Sequence, residues 1–335
     1  MISFEEIRDV HLEISSLCNA ACPLCPRNFR GYPHNDGYPE ANMTLAQVQQ
    51  IFDPNFVSQL TRIYLNGNFG DIVMNPETPD IVEYFRANNP NLIIAISTNG
   101  SGRDRKFWQR LASARAKVFF CLDGLEDTHH LYRQNTVWRQ ILRNAETFIA
   151  AGGYATWKFI LFDHNQHQIQ QCRELAEQLK FAHFEIINDG RSIGPVFDKH
   201  GQLTHVIGDY QGSTDFKTMF FKKKTDTVVL EDIIVDKKVK STVVCEAKIT
   251  KSIYVTSIGE VYPCCFMGYY PRTYGRGEYH QAVNSQIAPL MQNNNALDSS
   301  IKQCIKWFAD VETSWKKSTY ESGRLVVCDD NCGSC

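Results

Sequence analysis

Twelve cysteines occur in the 335 residues, and their spacing is where chemistry is most legible. Cys18, Cys22 and Cys25 crowd into one short stretch, Cys121 and Cys172 stand singly, and Cys245, Cys264, Cys265, Cys304, Cys328, Cys332 and Cys335 fall in the last 91 residues. The start, Met-Ile-Ser-Phe-Glu-Glu, does not read as an export signal. The thiols are therefore expected in a reducing, cytoplasmic setting, where metal ligation or redox chemistry suits them better than a disulfide framework. The Cys-X3-Cys-X2-Cys spacing of the first group supplies three neighbouring thiolates, able to wrap a cubane iron–sulfur cluster and leave one iron without a protein ligand. Asn19, Pro23 and Pro26 around them suit a loop rather than a core face. A structural zinc is the alternative, but zinc asks for four closed ligands, and the nearest spare donor, His11, lies upstream on an expected strand.

Up to about residue 188, short β-rich runs alternate with segments of helical period. Strands are expected at Ile7–Ile14, Arg62–Asn66, Leu92–Thr98, Val118–Asp123, Thr156–Leu161 and His183–Ile187. Helices are expected after Thr44 (Leu45, Val48, Ile51, Phe52), from Thr78-Pro79, and after Thr136 (Val137, Ile141, Leu142, Ala145, Phe148, Ile149). Such alternation implies parallel strands with crossover helices, in a doubly wound sheet or an incomplete barrel. In both, chemistry gathers at the carboxyl ends of the strands. Those ends read Ser15 to Cys25, Asn66-Gly67-Asn68-Phe69-Gly70-Asp71, Ser97-Thr98-Asn99-Gly100 and Asp123-Gly124, so polar, glycine-bearing and thiol-bearing groups share one rim.

The rest of the composition narrows the class. Hydrophobic residues are 43% and charged residues 21%, as in soluble globular proteins. The 35 basic and 37 acidic side chains leave a net −2, without the basic surplus of a nucleic-acid binder. No apolar run approaches the ~20 residues that span a bilayer, so no membrane association is expected. From about Asp189 to Val244 periodicity fades, and Lys217, Lys222, Lys223, Lys224, Lys237, Lys238 and Lys240 stand against Asp226, Glu231, Asp232 and Asp236, a local +3. That run reads either as a solvated face or as a dock for an acidic peptide. Beyond it, Ile253–Ser257 and Glu260–Tyr262 flank Ser257-Ile258-Gly259 as a hairpin that would bring Cys245 and Cys264 together. The chain closes on Cys328-Asp329-Asp330-Asn331-Cys332-Gly333-Ser334-Cys335, for which a zinc ribbon is the competing reading.

The Cys18, Cys22, Cys25 motif, with apolar Leu24 before its last cysteine and a strand before its first, resembles that of the radical S-adenosylmethionine (SAM) superfamily, and the resemblance covers most of the chain. It implies a partial (β/α)6 TIM-type barrel over residues 1–190, a linker or insertion over 191–244, and a small cysteine-rich twitch/SPASM-like α+β domain over 245–335. It also implies a four-iron cluster on Cys18, Cys22 and Cys25 whose open iron chelates SAM. Phe69-Gly70-Asp71 stands where that family carries Gly-Gly-Glu, which makes Gly70 and Asp71 candidates for the SAM site, with Leu24 beside them. Ser97 and Asn99 match the ribose-contacting region. Cys121-Leu122-Asp123-Gly124 with His129 and Arg133 resembles Ser-Leu-Asp-Gly…His…Arg, which makes Arg133 the partner of the SAM carboxylate. Cys245…Cys264 resembles the opening of the SPASM motif and Cys332-X2-Cys335 the closing pair of the twitch domain. One auxiliary four-iron cluster is thereby assigned to Cys245, Cys264, Cys332 and Cys335, with Cys265 and Cys328 as substitutes.

The resemblance implies two 4Fe-4S clusters, SAM as cofactor, and reduction by a flavodoxin- or ferredoxin-type protein. One-electron cleavage of SAM to methionine and a 5′-deoxyadenosyl radical then permits hydrogen-atom abstraction from a substrate. A ribosomally made peptide is the expected substrate, with oxidation, crosslinking or bond cleavage as the outcome. A sugar- or aminoglycoside-type small molecule is the alternative, and a non-catalytic metal-binding interaction protein the reading from another class. The first strand begins close to Met1, so leader recognition is expected of a separate partner protein. The C-terminal segment is expected to be the lid over the rim. No acid, base or nucleophile is singled out.

Overall fold

The computed structural model describes residues 1–34, 39–188, 193–221, 239, 242–269 and 278–334. Lys222, Lys223, Lys224, Lys237, Lys238 and Lys240 of the lysine run, and Cys335, lie outside the described residues.

Each expected strand of the first half is present: β1 Asp9–Leu12, β2 Arg62–Leu65, β3 Ile93–Thr98, β4 Lys117–Cys121, β5 Tyr154–Ile160 and β6 His183–Ile187. Between them run α1 Leu45–Ile51, α2 Pro54–Gln59, α3 Thr78–Asn88, α4 Arg105–Ser113, α5 Glu126–Tyr132, α6 Trp138–Ala150 and α7 Ile169–Gln178. Thr44 caps α1 in a reciprocal box with Gln47. Thr136 does not cap α6, which begins at Trp138; its hydroxyl donates to the Arg133 carbonyl at 2.6 Å and meets His129 Nε2 at 3.0 Å. Thr78 sits inside α3, its hydroxyl donating to the carbonyls of Ile72 and Asn75.

Two C-terminal strands, β7 Ser252–Val255 and β8 Val261–Tyr262, form the expected hairpin, pairing Tyr254 with Tyr262 and Val255 with Val261. That hairpin extends the first sheet: β7 lies parallel to β1, His11 opposite Tyr254, and the strand order is β8-β7-β1-β2-β3-β4-β5-β6. Period-two alternation then sorts the side chains. Val10, Leu12, Ile63, Leu65, Ile96, Val118 and Phe120 are buried on one face. Register puts His11, Tyr64, Ser97, Cys121, Lys158 and Glu185 on the other. The charge of Glu185 on β6 acts on Tyr64 of β2, four strands away, as across a curled sheet. The architecture is thus a partial barrel with an open edge, its polar face turned inward.

Ile253, Tyr262, Phe308 and Val327 of the C-terminal segment share one hydrophobic core with Val10, Leu65 and Phe120. A second, smaller core gathers Ala20, Cys22, Tyr132, Ile160, Phe162, Ile193, Val196 and Ile207. Among the described residues, the antiparallel pair Gly194–Phe197 and Leu203–Ile207 packs on the first cysteine loop. The C-terminal segment meets the neighbouring rim, where Asn68 Nδ2 donates to the Cys265 carbonyl at 2.8 Å and Phe69 stacks on Tyr269. No helix among the described residues is long and apolar enough to cross a membrane.

Candidate active site at the carboxyl rim

The loop after β1 is pinned by its backbone, with Ala21 N–H donating to the Gln134 carbonyl and Cys25 N–H to that of Cys22. This brings Cys18, Cys22 and Cys25 close enough for each to oppose ionisation of its neighbours. Burial first, then the charges of Asp71 and the other two thiols, pushes Cys18 well above the usual thiol range. Burial pushes Cys22 up to about 12, against the opposing pull of Arg133. Two donors face these sulfurs: Asn99 Nδ2 lies 3.7 Å from Cys18 Sγ and an Arg133 terminal nitrogen 3.9 Å from Cys22 Sγ.

Arg133 is positioned from below. Burial works against its charge, but Asp123, accepting from Arg133 Nε at 2.6 Å, offsets it together with Cys22, Cys121 and Tyr132, so the guanidinium stays charged. Asp123 also accepts from Ile160 N–H. His129, held neutral by burial with a pKa near 3, accepts from Asp123 N–H at Nδ1, so Nε2 carries the proton and donates to Thr136. Gly124, at φ +118°, makes the turn that returns the chain from β4 into α5.

The segment after β2 touches the β1 loop backbone to backbone. A Cβ on Gly70 would lie 1.7 Å from the Ser15 carbonyl oxygen, so only glycine fits. Glu13, fully buried and overlooked in the sequence, accepts from Phe69 and Gly70 N–H at 2.8 Å each and from the Tyr254 hydroxyl at 2.7 Å. Burial pushes its carboxyl up to about 7. The carboxylate of Asp71 is occupied by Thr98 Oγ1 at 2.6 Å, Asn99 N–H at 2.7 Å and Val73 N–H at 3.0 Å. Asp71 thereby ties the ends of β2 and β3 together, and burial raises its pKa. Asn99 is bound further to Asn19 at 2.9 Å.

Ser97 points into the barrel, where its hydroxyl lies 3.5 Å from Cys121 Sγ and hydrogen-bonds with Tyr64. Lys158 and Glu185 are register partners on the same inner face. The strand-by-strand register that collects these polar residues could not be read from one sequence. Leu24 is exposed at the rim.

The second thiol set is built on a helix. Cys328 and Cys332 stand four residues apart in Val326–Cys332 and so share one face. Gly333–Ser334 then pairs with Thr242–Val243, and Val244 N–H donates to the Cys332 carbonyl at 2.8 Å, which delivers Cys245 beside Cys332. These two thiols hydrogen-bond to each other, so Cys332 ionises readily while Cys245 holds its proton more tightly. Cys264 completes the group, and Cys245, Cys264, Cys328 and Cys332 line one apolar recess. Cys328, named as a substitute ligand, lines this recess, and the expected ligand Cys335 lies outside the described residues. Cys265 opens the neighbouring helix Cys265–Tyr269 and does not line that recess.

Both sets fit the iron–sulfur groups implied for them. Buried thiols that raise one another's pKa lack only positive charge, which iron supplies while taking each as thiolate. Among the described residues no three His, Cys, Asp or Glu side chains converge as a single-metal site.

No family model matches the sequence, and no curated protein matches it as a relative. Solved structures do. SuiB of Streptococcus suis bound to S-adenosylmethionine superposes with a TM-score of 0.58 at 12% identity, over 98% of this chain and 73% of that one. The anSMEcpe structure with bound AdoMet gives 0.56 at 17% identity, over 97% and 86%. SuiB bound to its precursor peptide SuiA gives 0.58 at 13% identity, over 98% and 72%. Over nearly its whole length, then, the chain has the fold of the radical SAM enzymes of SPASM and twitch type.

Proposed function

We propose that this protein is a radical SAM enzyme acting on a ribosomally made peptide, with one auxiliary four-iron cluster. The observation that carries the reading is the convergence on one rim of Cys18, Cys22 and Cys25 with two donors already aimed at their sulfurs, Asn99 and Arg133. When bound there with SAM, the cluster supplies the electron that releases a 5′-deoxyadenosyl radical for hydrogen-atom abstraction.

The chain's own residues have separate duties in this reading. Cys18, Cys22 and Cys25 hold three irons. Because Glu13 consumes the N–H groups of Phe69 and Gly70, that segment presents carbonyls, the acceptors an ammonium needs. Arg133, its charge secured by Asp123, is the partner for the SAM carboxylate. Ser97 and Asn99 serve the ribose and Leu24 flanks the cofactor, while Asp71 acts by positioning Asn99. The apolar residues Ile193, Val196 and Ile207 keep water from the thiol loop. Cys245, Cys264, Cys328 and Cys332 hold the auxiliary cluster, and a flavodoxin- or ferredoxin-type protein is the electron donor.

The peptide class is supported by two of the similar structures: SuiB is bound to a precursor peptide, and anSMEcpe to AdoMet with a Cp18Cys peptide. The lysine run at 217–240 suits an acidic leader, presented directly or by a separate partner. Incubating the reduced enzyme and SAM with any short peptide encoded by a reading frame beside its gene tests this. A SAM-dependent mass change in that peptide is expected. SAM cleavage without any change in such a peptide would overturn the substrate class and leave the enzyme class standing, whereas no SAM cleavage would overturn both.

A further inference from the structure

We propose that the indole N–H of Trp315 donates a hydrogen bond to the Cys328 sulfur once that thiol ligates the auxiliary cluster, and so raises the cluster's reduction potential. The inference rests on the auxiliary-cluster reading above and goes beyond it, from which residues hold the cluster to which residue sets its potential.

Trp315 follows the helix Phe308–Ser314 and lines the same recess as Cys245, Cys264, Cys328 and Cys332. Its Nε1 is sealed from solvent and has no hydrogen-bond partner in the structure. A buried indole N–H is normally paired, because leaving it unmade forfeits the hydrogen bond that water would give it. The group it faces is Cys328. The two side chains line one recess and interact with each other directly. As a thiol, Cys328 is a weak acceptor; as a cluster ligand its sulfur carries negative charge and becomes a good one.

The orientation is held from behind. The Arg324 guanidinium donates to the Trp315 carbonyl and clamps Asp329 at 2.9 and 3.0 Å, and Asp329 is the residue after Cys328. Tyr320 adds a third tie, its hydroxyl donating to Asp329 at 3.1 Å. The indole and the helix that carries Cys328 are thus fixed relative to one another by a buried ion pair. Hydrogen bonds to the sulfurs of an iron–sulfur cluster stabilise its more negative, reduced state and move its potential upward. Trp315 is a positioning and tuning residue in this scheme and touches neither substrate nor SAM.

The test uses the anaerobically reconstituted full chain. In Trp315→Phe, which keeps an aromatic ring in place, an EPR-monitored redox titration should show the auxiliary cluster harder to reduce. The expected change is roughly tenfold in its reduced-to-oxidised ratio at fixed potential, about 59 mV for a one-electron couple, with the midpoint of the first cluster unmoved. An unmoved auxiliary midpoint with both clusters present overturns the proposal. A second measurement does not depend on the variant folding: in wild-type protein carrying 15N-indole tryptophan, electron–nuclear double resonance on the reduced auxiliary cluster should reveal an indole nitrogen coupling, and its absence overturns the proposal. A wild-type iron content of one cluster instead overturns the auxiliary-cluster reading, and the proposal with it.

Discussion

Arg133 is held at Nε by Asp123, 2.6 Å away, and the Asp123 side chain is completely closed to solvent. Breaking a buried pair by removing one charge strands the other and costs about 3–5 kcal/mol. Asp123→Asn should therefore lower the unfolding free energy of the apoprotein by about 3 kcal/mol in urea titrations, and also weaken SAM binding by releasing the guanidinium. Unchanged stability and unchanged SAM affinity would contradict the role given to this pair.

The buried Glu13 carboxyl makes stability depend on pH. Its pKa is raised by burial from 4.5 to about 7, so the folded chain keeps a proton that the unfolded chain has released in that interval. The contribution is fully present below the unfolded pKa and is lost as pH rises through about 7, by roughly 3 kcal/mol in total. Urea midpoints measured from about pH 5 to pH 8 should fall with pH in the wild type and stay flatter in Glu13→Gln. Parallel profiles for the two proteins would refute the assignment.

Gly70→Ala would place a methyl 1.7 Å from the Ser15 carbonyl, backbone against backbone, with no flexible side chain to yield. The variant should lose SAM binding and about 1–3 kcal/mol of stability. Gly102→Ala, whose added carbon meets only Val73 at 3.4 Å, is the control and should bind SAM normally.

Cys328→Ala should halve the iron content while leaving SAM cleavage intact, because Cys328 shares the recess with Cys245, Cys264 and Cys332 among the described residues. Cys335→Ala should keep both clusters. The opposite pattern in iron analysis would return the fourth ligand to Cys335.

The reach of the sequence follows from what each feature depends on. The six barrel strands and the Tyr254–Tyr262 hairpin were legible because period-two apolar runs and glycine turns are local signals. The first cysteine loop was legible because its spacing is itself the chemistry. Glu13 was passed over as one charge at the end of an apolar strand, its partners Phe69 and Tyr254 lying 56 and 241 residues away. Cys328 is only a substitute in the sequence because Cys332-X2-Cys335 carries the resemblance to the twitch closing pair, whereas the helix that puts Cys328 and Cys332 on one face shows in the structure. The addition of β7 to β1 is likewise a long-range pairing, Asp9 with Ser252, that local pattern does not announce.

Release of 5′-deoxyadenosine from SAM by the dithionite-reduced, anaerobically reconstituted protein tests the central claim most directly. Wild-type protein should release it. A variant with Cys18, Cys22 and Cys25 changed to Ala should release none while retaining the auxiliary cluster and about half the iron, two four-iron clusters being expected in the wild type. No 5′-deoxyadenosine from fully iron-loaded wild-type protein, or stoichiometric zinc in place of iron, would contradict the account.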